Sequence, residues 1–231
     1  MASQFQLQCP ACGAQTCVTV NHTVTDDSPD LKALLDGTLG VAQCPGCGQK
    51  LNVPTQFIYR DSTNPCIYVL AAERPPEDQQ DAFALRVDEC ATAMAQQNGM
   101  ERPQVRLLFS RPEFIEKIFL HRAGLDDRVI EYAKYQLLTG GTEYSLDFHL
   151  HRLLYDFGHS TEQQLVFIIF LRKTKRPLRL LHVPMEEYRQ LAQEIANNPQ
   201  LRTELDHLFP GCMVDVDLIF DKLRAQSRQQ P

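Results

Sequence analysis

Apolar side chains near the N-terminus come singly and alternate with polar ones: Phe5 and Leu7 sit between glutamines, and Cys17-Val18-Thr19-Val20-Asn21 is rich in β-branched residues. A period of two predicts short strands. The rhythm then changes. Ser28-Pro29 has the form of a cap followed by proline at the first helical position, Leu31, Leu34 and Leu35 make an apolar stripe, and Gly37 ends it, which predicts a short helix. Leu39 and Val41, then Leu51, Val53, Phe57 and Tyr59, return to strand spacing. Residues 66–71 read as a further strand before Arg74-Pro75-Pro76-Glu77-Asp78 breaks the pattern.

From 77 to 98 the period is helical, with Phe83, Val87, Cys90, Ala91 and Met94 on one face and Asn98-Gly99 as the stop. Residues 105–109 predict a strand. Ser110-Arg111-Pro112-Glu113 has the form of a capping box, opening a helix that carries Phe114, Ile115, Ile118 and Phe119 inward. After Gly124 a second helix starts at Asp126, with Leu125, Val129, Ile130, Ala133 and Leu137 as its buried face and Gly140-Gly141 as its end. Asp126 and Asp127 suit the positive end of that helix, and capping is the preferred reading over a catalytic carboxylate pair.

The last third alternates again. Tyr144, Leu146, Phe148 and Leu150 are interleaved with Ser145, Asp147, His149 and His151, a strand with one dry face. Residues 165–171 contain no polar side chain and read as a central strand, 172–177 as a basic turn, and 178–183 as the returning partner. Met185, Tyr188, Leu191, Ala192 and Ile195 mark a helix, interrupted at Asn197-Asn198-Pro199 and followed by a second one ending near Leu208. A turn at Phe209-Pro210-Gly211, a short strand over 213–216, a terminal helical turn or two over 218–224 and a frayed polar tail complete the expectation.

The elements belong to a chain of 231 residues, 43% hydrophobic with 12 Phe, long enough to bury a sizeable core. The longest apolar run, 165–171, is too short to cross a bilayer. No charged and then apolar leader opens the sequence, so a cytoplasmic protein with reduced thiols is expected. Charge is uneven. Residues 1–90 hold 5 Lys and Arg against 11 Asp and Glu, whereas 91–231 hold 18 of each.

Candidate chemistry concentrates in two copies of one unit, Cys9-Pro10-Ala11-Cys12-Gly13 and Cys44-Pro45-Gly46-Cys47-Gly48. Each presents two thiolates from one tight turn, and the trailing glycine supplies a left-handed backbone that aims amides at sulfur. Two such knuckles make a closed tetrahedral site of Cys9, Cys12, Cys44 and Cys47, and zinc suits four thiolates best. A disulfide framework does not fit a reduced compartment, and thioredoxin-like redox chemistry needs one such motif at a helix start. Cys17, Cys66, Cys90 and Cys212 stand alone and read as small apolar side chains.

A closed four-cysteine site has no open position for substrate, so the metal is expected to be architectural. His149, His151 and His159, with Asp147, are the remaining group that can host a second metal or a general base, against the default of polar residues on the wet face of a sheet. Arg172-Lys173-Thr174-Lys175-Arg176 is the densest positive stretch, suited to an acidic partner or nucleic acid, although charges at a hairpin turn also serve solubility. No phosphate-binding glycine loop, nucleophile elbow or His-Glu-x-x-His motif is present in the sequence.

The paired Cys-Pro-x-Cys-Gly units, the intervening Ser28-Pro29-Asp30-Leu31-Lys32 with Leu34-Leu35-Asp36-Gly37, and Tyr59-Arg60-Asp61 together resemble the bacterial CpXC domain over residues 4 to 125. The string Gly124-Leu125-Asp126-Asp127-Arg128-Val129-Ile130-Glu131 resembles the helical stretch that follows in such proteins. The resemblance implies the same four cysteines as zinc ligands and carries no activity with it. The expectation is therefore an α+β protein in two parts: a zinc ribbon with a helical insertion over 1–125, and a lobe of antiparallel strands packed against helices over 126–231. Its expected role is non-enzymatic, with the zinc-built module binding another protein or another copy of the chain. Regulatory nucleic-acid binding is the alternative, less suited to an acidic knuckle region where Lys50 is the nearby cation, and a histidine-based hydrolase is the third.

Overall fold

The two knuckles are the tips of two separate hairpins. In the computed structural model, which describes residues 2–53, 55–61, 63–97, 101–140, 145–209 and 211–221, β1 (Ala2–Gln8) pairs antiparallel with β2 (Gln15–Asn21) from Ala2↔Asn21 to Gln8↔Gln15. Likewise β4 (Val41–Gln43) pairs with β5 (Lys50–Asn52). Between them lie β3 (Thr23–Val24) and the predicted helix α1 (Pro29–Leu35), which buries Leu31 and Leu34. Ser28 occupies the cap position, yet its hydroxyl donates to the Thr25 carbonyl at 2.9 Å instead of capping α1.

A four-stranded mixed sheet in the order β3-β6-β7-β8 follows, with β6 (Phe57–Asp61), β7 (Cys66–Leu70) and β8 (Gln104–Leu108). β7 and β8 run parallel, so the chain needs a crossover, and α2 (Glu77–Gln97) supplies it. The buried positions of α2 are Ala84, Ala91 and Ala95, while Cys90 and Met94 of the predicted stripe are exposed. Small side chains let the helix approach the sheet closely, and the larger ones fall to its flank. The stop at Asn98-Gly99 lies outside the described residues.

The structure divides into compact units Met1–Ile115 and Glu116–Pro231, the division falling inside α3 (Arg111–Arg122). The capping box expected at its start is not made: the Ser110 hydroxyl is buried without a hydrogen-bond partner among the described residues, and the Phe114 amide bonds to the Ser110 carbonyl. In the second unit α4 (Asp127–Thr139) is capped by Asp126, whose carboxylate accepts the Arg128 amide at 2.9 Å. Asp127, in the first turn of α4, is buried with its carboxylate 3.2 Å from Lys117 Nζ.

The sheet of this unit is β11-β10-β9, with β9 (His151–Tyr155), β10 (Gln164–Leu171) central as predicted, and β11 (Pro177–Pro184). One face packs Leu153, Tyr155, Leu165, Phe167, Ile169, Leu181 and Val183 into the main core. The expected strand over 144–150 is a correction. Its alternation ends in a turn at Phe148, His149 and Leu150 because the Asp147 carboxylate accepts the His149 amide at 2.6 Å and the Asp147 carbonyl accepts the His151 amide at 2.7 Å. Tyr144 lies outside the described residues. Two helices, α5 (Met185–Asn197) and α6 (Pro199–Leu208), follow. Asn198 caps α6 at its Gln200 and Leu201 amides. Residues 213–215 form no strand, and 216–221 are helical, because the Val216 amide is taken by Glu131 Oε2 at 3.0 Å. The tail from 222 lies outside the described residues, and no described helix is long and apolar enough to cross a membrane.

Candidate metal centre

Each knuckle folds by the same backbone contacts. In the first, the Cys9 amide donates to the Ala14 carbonyl and the Gly13 amide to the Cys9 carbonyl, both at 2.9 Å. In the second, the Cys44 amide donates to the Gln49 carbonyl at 2.8 Å and the Gly48 amide to the Cys44 carbonyl at 2.9 Å. Gly13 and Gly48 adopt φ of 73° and 75°, the left-handed conformation that closes each turn and that a side chain would oppose.

The two turns bring Cys9, Cys12, Cys44 and Cys47 together, with all four sulfurs within 4.8 Å of one another. Two close approaches run between knuckles: Cys12 to Cys44 at 3.4 Å and Cys9 to Cys47 at 3.6 Å. All four are free thiols. This set can hold one metal ion, and it is the only such group of cysteine, histidine or carboxylate ligands among the described residues. Cys9 and Cys44 are buried with Leu51 in a small cluster edged by Leu7, Ala14 and Ala42, while Cys12 and Cys47 face outward.

The sulfurs resist common ionisation. Burial pushes the Cys44 thiol up, but the Cys47 and Gly46 amides outweigh burial and bring it down to about 6. Cys12, though an Ala14 amide favours its thiolate, is pushed up to about 12 by the Cys44 and Cys47 sulfurs. A dication between them supplies the missing countercharge, and binding it releases protons. Gly46 is a close approach: a Cβ there stands 3.2 Å from the Cys12 sulfur and 3.2 Å from the Ala14 Cβ. Gly46→Ala is therefore expected to speed metal transfer to a chromophoric chelator several-fold, with the hairpins intact by amide spectra. An unchanged transfer rate means the crowding relaxes away.

The histidines do not converge. His149 sits in the turn after Asp147, His151 Nδ1 accepts the Asp147 amide at 3.0 Å, and His159 Nδ1 bonds Asp156 Oδ2 at 2.7 Å. Among the described residues they join no group of three or more ligands. Arg172 is also removed from the basic turn: its guanidinium holds Asp217 at 2.8 Å and the His151 carbonyl at 2.8 Å. Lys173, Lys175 and Arg176 remain at the turn, all three exposed.

A cavity of about 530 Å3 in the first unit is lined by Asp26, Asp27, Arg60, Asp61, Cys66 and Met94, among others. Three of these groups are occupied with structure. Asp26 accepts the Tyr59 hydroxyl at 2.6 Å, Asp61 accepts the Thr63 amide at 2.8 Å, and burial pushes the Cys66 thiol up to about 12, which keeps it protonated and unreactive.

Five charged side chains that the sequence reading did not place in a core are buried in the second unit. Lys117 Nζ lies 2.8 Å from Glu131 and 3.2 Å from Asp127, and Lys134 Nζ lies 2.8 Å from Glu116 and 2.9 Å from Glu131. All five are at most 4% exposed at the side chain. Glu116 also accepts the Tyr155 amide, so α3, α4, β9 and the start of the last helix share one ionic network. It has the paired, hydrogen-bonded form that buried charge requires. No sequence signal marked it beyond charges at core-facing helical positions.

The sequence pattern of the family described as CpXC protein matches residues 7–134. The match runs past the boundary expected at 125 and takes in all five residues of the network. No curated protein and no solved structure matches the chain.

Proposed function

The chain belongs to the CpXC protein family, and from that premise we propose that it is a non-enzymatic zinc-binding protein, its four-cysteine zinc site holding a module that binds another protein or another copy of the chain. One observation carries the metal assignment: four sulfurs from two matched knuckles lie within 4.8 Å of one another. Zinc with sulfurs at about 2.3 Å in a tetrahedron sets them about 3.8 Å apart. The two approaches of 3.4 and 3.6 Å fit that spacing. Four protein ligands leave no position for substrate or water, so the ion organises backbone and does not activate a nucleophile.

The interaction role rests on what surrounds the ion. Residues 1–90 are acidic, and two of the three carboxylates lining the cavity in the same unit, Asp26 and Asp61, are committed to tyrosine and backbone donors. Elemental analysis of the full chain expressed in zinc-supplemented medium should find about one zinc per chain. A variant with His149, His151 and His159 all replaced by alanine should keep it. Loss of metal from that histidine variant, or iron in place of zinc, overturns the assignment.

A further inference from the structure

The second unit leaves one edge of its sheet open in an unusual way. β11 pairs with β10 alone among the described residues, so its other side presents a row of backbone donors and acceptors, the kind of edge that proteins usually bury or guard. Prolines stand at its two ends, Pro177 and Pro184. Between them, 178–183 offers six residues to another strand.

The approach to that edge is basic and apolar together. Every residue from Thr174 to Leu180 is exposed, or nearly so, including Leu178 at 49% and Leu180 at 36%. No acidic residue occurs between Glu162 and Glu186, in a chain of net charge -6. Lys173, Lys175 and Arg176 stand at the hairpin turn, where Lys175 takes φ 55°, and Arg179 continues the charge into the strand. The register then assigns faces. Leu180 lies opposite Ile168, which is opposite Leu154 on β9, and both are half-buried. That makes an apolar row on the face away from the main core. Arg179 lies opposite Ile169, on the other face.

We propose that β11 is a docking edge for an extended acidic segment of a partner protein, which adds as a fourth strand with apolar residues beside Leu180 and acidic residues beside the Lys173–Arg176 turn. Side chains alternate between the faces of a strand, so the occupant must alternate acidic and apolar positions. Charge complementarity selects the acidic peptide. Nucleic acid fits less well, because exposed leucines would face phosphate and no Phe, Tyr or Trp between Phe170 and Tyr188 offers a stacking surface. This inference stands apart from the zinc reading, since it uses no residue of the knuckles.

The test uses the full chain and a labelled peptide of about ten residues alternating glutamate with valine and leucine. Saturable binding, amide shifts confined to β11 and the basic turn, and weakening of about tenfold or more in Leu180→Asp and in Lys175→Glu/Arg176→Glu are expected. Both sites are exposed, so the variants should fold, which their amide spectra check. Failure to bind, equal binding of the matching lysine peptide, or binding unchanged in both variants overturns the proposal. So does a single-stranded oligonucleotide that displaces the peptide at equal or lower concentration.

Discussion

Cys44→Ser is expected to lower bound zinc from about one ion per chain to below about a tenth of one, and with it to dissolve the order of both hairpins. The cause is the thinness of what else holds them. β4 and β5 have three residues each, the two hairpins belong to different sheets, and the apolar cluster under the ion is built from Cys9, Cys44 and Leu51. So small a cluster cannot offset the entropy of ordering two loops, and metal binding becomes folding energy for the segment. Elemental analysis paired with hydrogen exchange reads both effects. Amides of Cys9, Gly13, Cys44 and Gly48 should lose protection, while those of β7 and β8 keep theirs. Cys66→Ser serves as the contrast, because Cys66 lies outside the cluster and should leave zinc content unchanged. Full zinc in Cys44→Ser would mean that the ion sits elsewhere.

Glu131→Ala carries the second large effect, on the other unit. Glu131 Oε1 is shared by Lys117 and Lys134, and its Oε2 accepts the Val216 amide. Deleting it leaves two ammonium groups at 2% exposure with one nearby partner each. Breaking a buried pair from one side costs about 3–5 kcal/mol, enough to lower the unfolding midpoint by roughly 10 °C or more in a domain of this size. Calorimetry on the zinc-loaded protein measures it. Acid acts on the same residue. Burial alone would raise the Glu131 carboxyl, but Lys117 and Lys134 outweigh it and hold the group below the ordinary carboxylate range. A carboxylate depressed on folding contributes fully above its unfolded pKa, about 4.3 for glutamate, and the contribution is lost as pH falls through the lower folded value. Glu131→Gln should therefore be less stable at neutral pH and flatter on the acid side.

The knuckles were legible because everything they need is local: two cysteines, a glycine at positive φ and a five-residue turn. The α+β class and most helices were legible for a similar reason, since periodicity reports burial. Where burial does not follow polarity, that reasoning fails. α3 and α4 bury Glu116, Lys117, Asp127, Glu131 and Lys134, and each charge is satisfied by a partner at least three residues away, invisible to a one-dimensional pattern. The alternation over 144–150 was real but yielded to one short side chain, Asp147, that bonded the backbone of its own turn. Nor did β7 and β8 announce their parallel pairing, which is a contact across a long crossover. Met213 to Val216 has a strand's composition, but the Val216 amide is spent on Glu131.

Each hairpin gives the metal centre one sequestered sulfur and one at the surface: Cys9 and Cys44 inside, Cys12 and Cys47 outside. Access to an ion held there would thereby be one-sided. A competing chelator or an electrophile would meet Cys12 and Cys47 first, so exchange would proceed stepwise from the solvent side, and the inner pair, backed by Leu51, would be the last to let go.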